Sequence, residues 1–207
     1  MTTNSVVNLN FDITLSDERI ILRPMERGDF EDFAKISQES EIWKYFPGNL
    51  ANEDELREWM NRAFQEKTGG TRIPFTLRQK STGEVIGSSS IGNISLRDSR
   101  AEIGWTWISP HVRGKGVNDR MKFLMMQYCF ETLRLERVEF KTDVLNIFAR
   151  TALKRIGATE EGILRSHTLM NFGRRRDTIY YSVLKAEWEK VSQTLSQKIT
   201  STFSANT

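Results

Sequence analysis

The sequence predicts one mixed α/β domain. Three observations carry that reading. Several short runs alternate apolar and polar residues with period two, as half-buried strands do. Between them lie runs with helical spacing, opened by capping residues and stopped by glycine. No internal repeat or linker divides the 207 residues, and a chain of this length suits one domain, or one domain with additions.

The elements follow in order. Val7, Leu9, Phe11, Ile13 and Leu15 alternate with polar residues and predict a first strand. Ser16-Asp17-Glu18 reads as a turn, and residues 19–23 (RIILR) as a second strand stopped by Pro24. The first strand forms a hairpin with the second most cheaply, although its edge is also open to a second subunit, which leaves a homodimer open. A helix is expected over residues 29–37, with Phe30, Phe33, Ala34 and Ile36 inward. A second starts at Asn52 as N-cap, has the acidic first turn Glu53-Asp54-Glu55, and ends at Gly69-Gly70. Ile73, Phe75 and Leu77 mark a strand, Ser81-Thr82-Gly83 a turn, and residues 85–96 a long strand with Gly87 and Gly92 as bulge candidates. The next strand, residues 100–108, places Ala101, Ile103, Trp105 and Trp107 on one face and Glu102, Gly104 and Thr106 on the other.

A glycine-containing loop, residues 111–117, opens a helix over residues 118–133. Two apolar stripes on that helix predict deep packing: Met121, Leu124, Met125 and Tyr128, then Phe123, Met126, Phe130 and Leu133. A strand over 137–142 and a helix over 147–156, stopped by Gly157, come next. Two last strands, 159–170 and 177–184, flank the turn Asn171-Phe172-Gly173. The domain is drawn at 1–191, and the Ser/Thr-rich segment 192–207 is expected to fray.

Composition excludes several function classes. One cysteine, Cys129, permits no intramolecular disulfide. Two histidines, His111 and His167, and that one cysteine cannot build a Cys/His zinc site; mixed carboxylate sites stay open, but chemistry without a metal is expected. No apolar run approaches the ~18 residues of a membrane span, and no secretory leader is legible, which points to the cytoplasm. A net charge of +3 argues against a nucleic-acid coat.

The loop Arg113-Gly114-Lys115-Gly116 at a helix start is the chemical signal. Glycines allow tight turns and close approach, and the helix start supplies unpaired N–H groups and the positive dipole end, so the pair can cradle a pyrophosphate. It is neither a Walker loop nor the dinucleotide fingerprint. Alone it is a weak signal that better describes a solvated surface turn.

Its context is more specific. AEIGWTWISP, then RGKGVN, then VEFKTDVLN, then LKRIGATEEG resembles the GNAT superfamily of N-acetyltransferases, in the RimJ/RimL-like branch. The likeness runs over about residues 16–184 and is strongest over 101–162. The resemblance implies an α+β domain of GNAT type: a central, mostly antiparallel, twisted sheet with a V-shaped splay and helices on both faces. It implies acetyl-coenzyme A as cosubstrate and direct acetyl transfer to a primary amine, either a protein N-terminus or a small molecule. Arg113, Gly114, Lys115, Gly116, Val117 and Asn118 would hold the pyrophosphate. Trp107 and Ile108 would pair through their backbone with the pantetheine arm. Asn146 would hydrogen-bond the pantetheine, with Ala149 at the cofactor site. Arg150 and Lys154, at i and i+4, would meet the adenosine 3′-phosphate, a solvated helix face being the equal alternative.

Glu102 matches the branch's frequent glutamate and is the candidate base, acting directly or through water. A paired surface carboxylate is the alternative. Trp43, Tyr45 and His167 are candidate acceptor contacts; core packing for the aromatics and a surface position for the histidine are the competing readings. Ala149 departs from the pattern, because relatives often carry there a serine proposed to protonate the leaving thiolate. That departure favours the rival reading, a coenzyme A-binding protein with little turnover. A second rival, RNA binding through Arg174-Arg175-Arg176, is disfavoured by the low net charge.

Overall fold

The alternating runs assemble into one eight-stranded sheet in the computed structural model, which describes residues 9–204. The strands are β1 (Leu15–Ser16), β2 (Ile20–Pro24), β3 (Arg72–Gln79), β4 (Val85–Ser95), β5 (Arg100–Ile108), β6 (Arg137–Asp143), β7 (Thr159–Leu169) and β8 (Arg175–Leu184). They lie in the order β1-β2-β3-β4-β5-β6-β8-β7. Every neighbouring pair is antiparallel except β5 and β6. The helices are α1 (Phe30–Ile36), α2 (Glu53–Thr68), α3 (Val117–Gln127), α4 (Ile147–Arg155) and α5 (Lys185–Ser204).

Helices cover both faces, as expected. α1 and α2 bury Phe33, Leu56, Trp59 and Ala63 with Trp43, Val85 and Trp107. α3, α4 and α5 bury Met121, Met125, Leu153 and Leu195 against Ile73, Phe75, Ile103, Val138 and Phe140 on the opposite face. The Asn52 Oδ1 accepts from the Asp54 and Glu55 N–H groups, both at 3.0 Å, which fixes the start of α2. α3 widens into a π turn over Tyr128–Thr132, so the predicted broad helix is present but not uniformly α.

The feature that positions the site is a divergence of β5 from β6. Only Arg100, Ala101 and Glu102 pair with Arg137, Val138 and Glu139. Past these residues the two strands no longer pair with each other, although β5 runs on beside β4 to Ile108 and β6 beside β8 to Asp143. This is the V-shaped splay that the family resemblance implies.

Three expectations are corrected. Trp105 sits at φ 52° in a bulge: Gly104 faces Ser90 and Trp107 faces Ser88, so Trp105 and Thr106 share Ser89. One extra residue swaps the faces beyond it. Trp107 therefore joins Glu102 on the α2 side, and Thr106 turns to α3. Second, Leu9, Phe11, Ile13 and Leu15 do pack on the core, but only Leu15–Ser16 forms a ladder; Val7 lies outside the described residues. Third, the segment expected to fray from Ser192 is helical through Ser204. Leu195 is buried in the core, and Ile199 O accepts from Arg120 Nη2.

Candidate active site

Two structures meet at the splay: an anion cradle at its α3 end and a charged cluster where β5 and β6 part. In the cradle, Gly114 and Gly116 lie at φ 76° and 78°, in the left-handed region that glycine enters without a Cβ penalty. Gly116 is the N-cap of α3, and no side chain caps that helix. The Arg113 and Lys115 N–H groups are spent inside the loop, on Pro110 O at 3.0 Å and Val112 O at 3.3 Å. The N–H groups left for an anion are those of Gly114, Gly116 and the first turn of α3. The Arg113 and Lys115 side chains are exposed beside them.

Where the strands part, Glu102 is 3% exposed. Its Oε2 accepts from Asn93 Nδ2 at 2.7 Å and pairs with Lys141 Nζ at 2.8 Å. Its Oε1 lies against Gly104. Glu102 is thus a buried carboxylate held by a lysine and an amide, not a surface group paired with arginine. Next to it, the Trp105 ring lies over Gly92 so closely that a Cβ there would meet the ring at 2.5 Å. Arg72 stacks on the same ring, with Cζ 4.4 Å from its centroid, and donates to Ser90 Oγ at 2.8 Å and Glu66 Oε2 at 2.9 Å. Burial holds the Arg72 guanidinium below its usual pKa, opposed by Glu66. Trp59 Nε1, Trp107 Nε1 and Arg72 Nη2 are buried donors on this face without a hydrogen-bond partner among the described residues. They can receive an acceptor-rich group.

On the other face, Lys122 of α3 donates to Thr106 Oγ1 at 3.1 Å. Burial pushes its pKa down to about 7, with Glu102 drawing it up.

A family model described as "Acetyltransferase (GNAT) domain" matches residues 19–159. The chain belongs to the GNAT acetyltransferase family. Bacillus subtilis "Putative ribosomal N-acetyltransferase YdaF" is 33% identical over 181 residues, covering 84% of this chain and 95% of that protein. A GCN5-related N-acetyltransferase from Brucella melitensis superposes with a TM-score of 0.83 at 24% identity, over 91% of this chain and 86% of that one. Mycobacterium smegmatis RimJ, solved in complex with CoA-disulfide, gives 0.79 at 20% identity, over 90% and 95%. This GNAT chain is an N-acetyltransferase, as the sequence motifs implied, and it shares its fold with the RimJ structure.

The remaining predicted residues divide into those at the splay and those away from it. Trp107 and Ile108 end β5 beside the gap; the Trp107 ring packs on Trp43, Phe33 and Trp59 at centroid distances of 5.2, 5.3 and 6.2 Å. Trp43 is buried, with its Nε1 donating to Ser37 O at 2.7 Å, so it is core rather than an open wall. Tyr45 is half-buried, with Lys44 over its ring. Asn146 caps α4, its Oδ1 accepting from Ala149 N at 3.0 Å. Arg150 donates to Val144 O at 3.0 Å, and Lys154 pairs with Glu160 at 3.1 Å. His167 is exposed on β7; its Nδ1 meets Thr178 Oγ1 at 3.1 Å.

The arginine triplet is not a free basic tip. Arg174 pairs with Asp143, Arg175 donates to Ser166, and Arg176 is buried with its Nε on Thr178 Oγ1. At the tip of the β7–β8 hairpin, Asn171 reaches the segment between α1 and α2. In the amide orientation that satisfies both groups, it donates to Pro47 O at 3.0 Å and accepts from Asn49 N at 2.9 Å.

Asn93, Arg72, Lys141 and Lys122 were not picked out by sequence reasoning. Among the described residues no three His, Cys, Asp or Glu gather as for a metal, and no helix is long and apolar enough to cross a membrane.

Proposed function

We propose that this enzyme transfers the acetyl group of acetyl-coenzyme A directly to a primary amine, with a protein N-terminus as its acceptor class. The observation that carries the reading is the uncapped glycine cradle at the start of α3 together with the stretch over which β5 and β6 no longer pair with each other. The fit can be stated residue by residue. Gly114, Gly116, Val117 and Asn118 offer N–H groups to a pyrophosphate, flanked by Arg113 and Lys115. The gap beside Trp107 and Ile108 leaves room for an extended arm to pair as an added strand. The Asn146 cap uses its oxygen and leaves its amide N–H₂ for a carbonyl of that arm, alongside Ala149 and Arg150.

Acetyl-coenzyme A supplies an activated acyl group as a thioester. The chain's residues place it and handle protons. Glu102 takes the acceptor's proton, directly or through water. An N–H of the bulged stretch near Trp107 stabilises the developing oxyanion. An N-terminal amine near pKa ~8 is partly neutral at pH 7, so a modest base suffices. The acceptor enters on the α2 side, between the Trp43–Tyr45 segment and the hairpin carrying His167. The name of the YdaF relative supports a protein acceptor. The cytoplasm is the expected setting.

Isothermal titration with acetyl-coenzyme A is the first test, followed by thiol release with N-terminal peptides and small amines. Binding with peptide-dependent thiol release is the expected result. No binding at millimolar ligand refutes the reading. Binding without turnover on any amine favours a coenzyme A-binding protein, the reading that Ala149 raises.

A further inference from the structure

We propose that Lys122 is the proton donor to the departing thiolate, replacing the side-chain acid that Ala149 cannot supply. This inference rests on the acetyl-transfer reading above and assigns a second proton carrier to the same site.

The placement comes first. Thr106 is on β5 and Phe140 on β6, past the last paired residues of the two strands. Lys122 touches both: Nζ is 3.1 Å from Thr106 Oγ1 and 5.2 Å from the centre of the Phe140 ring. Its ammonium therefore spans the gap from the α3 side, at the floor of the cleft where a thioester arm would lie. Glu102 reaches the same gap from the α2 side. A base on one face and an acid on the other would flank a thioester threaded between the strands.

The surroundings suit a donor. α3 buries Lys122 among apolar neighbours, with Ile20 and Leu22 from β2 and Trp188, Val191 and Leu195 from α5 in the same core. The charges that face it across the gap are Glu102 on β5 and, paired to Glu102, Lys141 on β6. On its own helix Asp119 is taken by Arg155, and Arg120 by Asp17 and Glu18. Burial with so little compensation brings Lys122 to about 7, where it can hold a proton and release it. Thr106 Oγ1, which meets Ser89 Oγ at 2.8 Å, fixes the ammonium's position.

The step balances. The amine nitrogen bonds to the acetyl carbon, and its proton passes to Glu102. The carbon–sulfur bond breaks and its electron pair stays on sulfur. Sulfur takes a proton from Lys122. Glu102 then gives its proton up to water, and water returns one to Lys122, so that both groups are restored. A coenzyme A thiolate of pKa ~8.5 leaves tolerably well without an acid, and a donor here speeds the step further by neutralising charge as it develops on sulfur.

Lys122→Met and Lys122→Arg test this. Methionine fits an apolar site, and arginine keeps the charge but does not release a proton. Both should bind acetyl-coenzyme A like the parent, lose about 10²-fold in kcat, and lack the parent's alkaline limb. A readout without turnover accompanies them: thiolate absorbance of bound coenzyme A against pH. In the parent its midpoint should lie about 1 pH unit below that in Lys122→Met, still above the value of Lys122 so that the proton passes to sulfur. Equal midpoints, or an alkaline limb retained in both variants, overturn the role of Lys122 while leaving acetyl transfer intact. A parent protein that binds no acetyl-coenzyme A overturns the functional reading and this one with it.

Discussion

Replacing Glu102 by glutamine should separate chemistry from binding and from folding. The substitution keeps the side chain's shape and removes its charge. In the parent, Oε2 takes Asn93 at 2.7 Å and Lys141 at 2.8 Å. Glutamine keeps an oxygen for one of them, and Lys141, whose side chain is 27% exposed, can turn to water. The stability cost is therefore about 1–2 kcal/mol, that of one charge-assisted bond softened by solvent. Loss of a general base costs ~10²–10⁴ in kcat, or about 2.7–5.4 kcal/mol at the transition state. Cofactor affinity should stay within about twofold, because the cradle lies at the start of α3 and shares no partner with Glu102. Thiol release from pH 6 to 9, isothermal titration and a urea melt measure the three quantities. A parent-like kcat with an unchanged pH–rate profile would remove Glu102 from the chemistry. A loss of cofactor affinity as large as the loss in kcat would make it a binding residue instead.

Gly116→Ala should weaken acetyl-coenzyme A binding about tenfold, since a Cβ at φ 78° costs about 1–2 kcal/mol and disturbs the cradle; titration calorimetry reads it. Asp29→Ala should cost about 3–5 kcal/mol in a urea melt, because the buried Asp29 carboxylate holds Arg23, Thr76 Oγ1 at 2.5 Å and Glu26 N at 2.9 Å. Burial pushes the Asp29 carboxyl up, but Arg23, Thr76 and Glu26 outweigh it and leave it lowered. The difference between parent and variant should therefore hold above pH ~4 and shrink as pH falls through the lowered value. Glu161 is held down at about 2 by Arg137, against some desolvation, with Ser182 helping. Glu161→Gln should cost no more than about 1 kcal/mol at pH 7, given its exposure, and nothing near pH 2; a constant difference across that range would refute the pairing as its cause.

Local rules made most of the fold legible. Asn52 and Asn146 are caps in the structure because a short side-chain acceptor before a helix meets its free N–H groups. The Arg113–Gly116 loop could be read for the same reason: glycine tolerance and an open helix start are local properties. The bulge at Trp105 was not legible, because period-two counting assumes an unbroken pleat and one extra residue reverses the faces beyond it. That single residue moves Trp107 from the face of Ala101 and Ile103, where alternation puts it, to the aromatic cluster under α2. Lys122 was passed over because a charged residue on an amphipathic helix normally faces water. A signal did exist: Met126 and Cys129 follow Lys122 at i+4 and i+7, and both are fully buried. A lysine on the azimuth of such residues has no polar face to reach.

Where positive charge falls decides which basic residues can meet a phosphate. Arg150 and Lys154 share Glu160, and the three arginines of the hairpin are committed to Asp143, Ser166 and Thr178. Meeting a phosphate would first require these to give up existing partners, which offsets much of the gain. Arg113 and Lys115 differ. Both are exposed, neither makes an ion pair among the described residues, and both flank N–H groups that the loop and helix leave open. An anion arriving at α3 therefore gains two charges and several backbone donors without breaking a bond. Among these basic residues, that pair is the one placed to recruit a pyrophosphate at low cost, and it stands at the α3 end of the same splay that Glu102 and Lys122 flank.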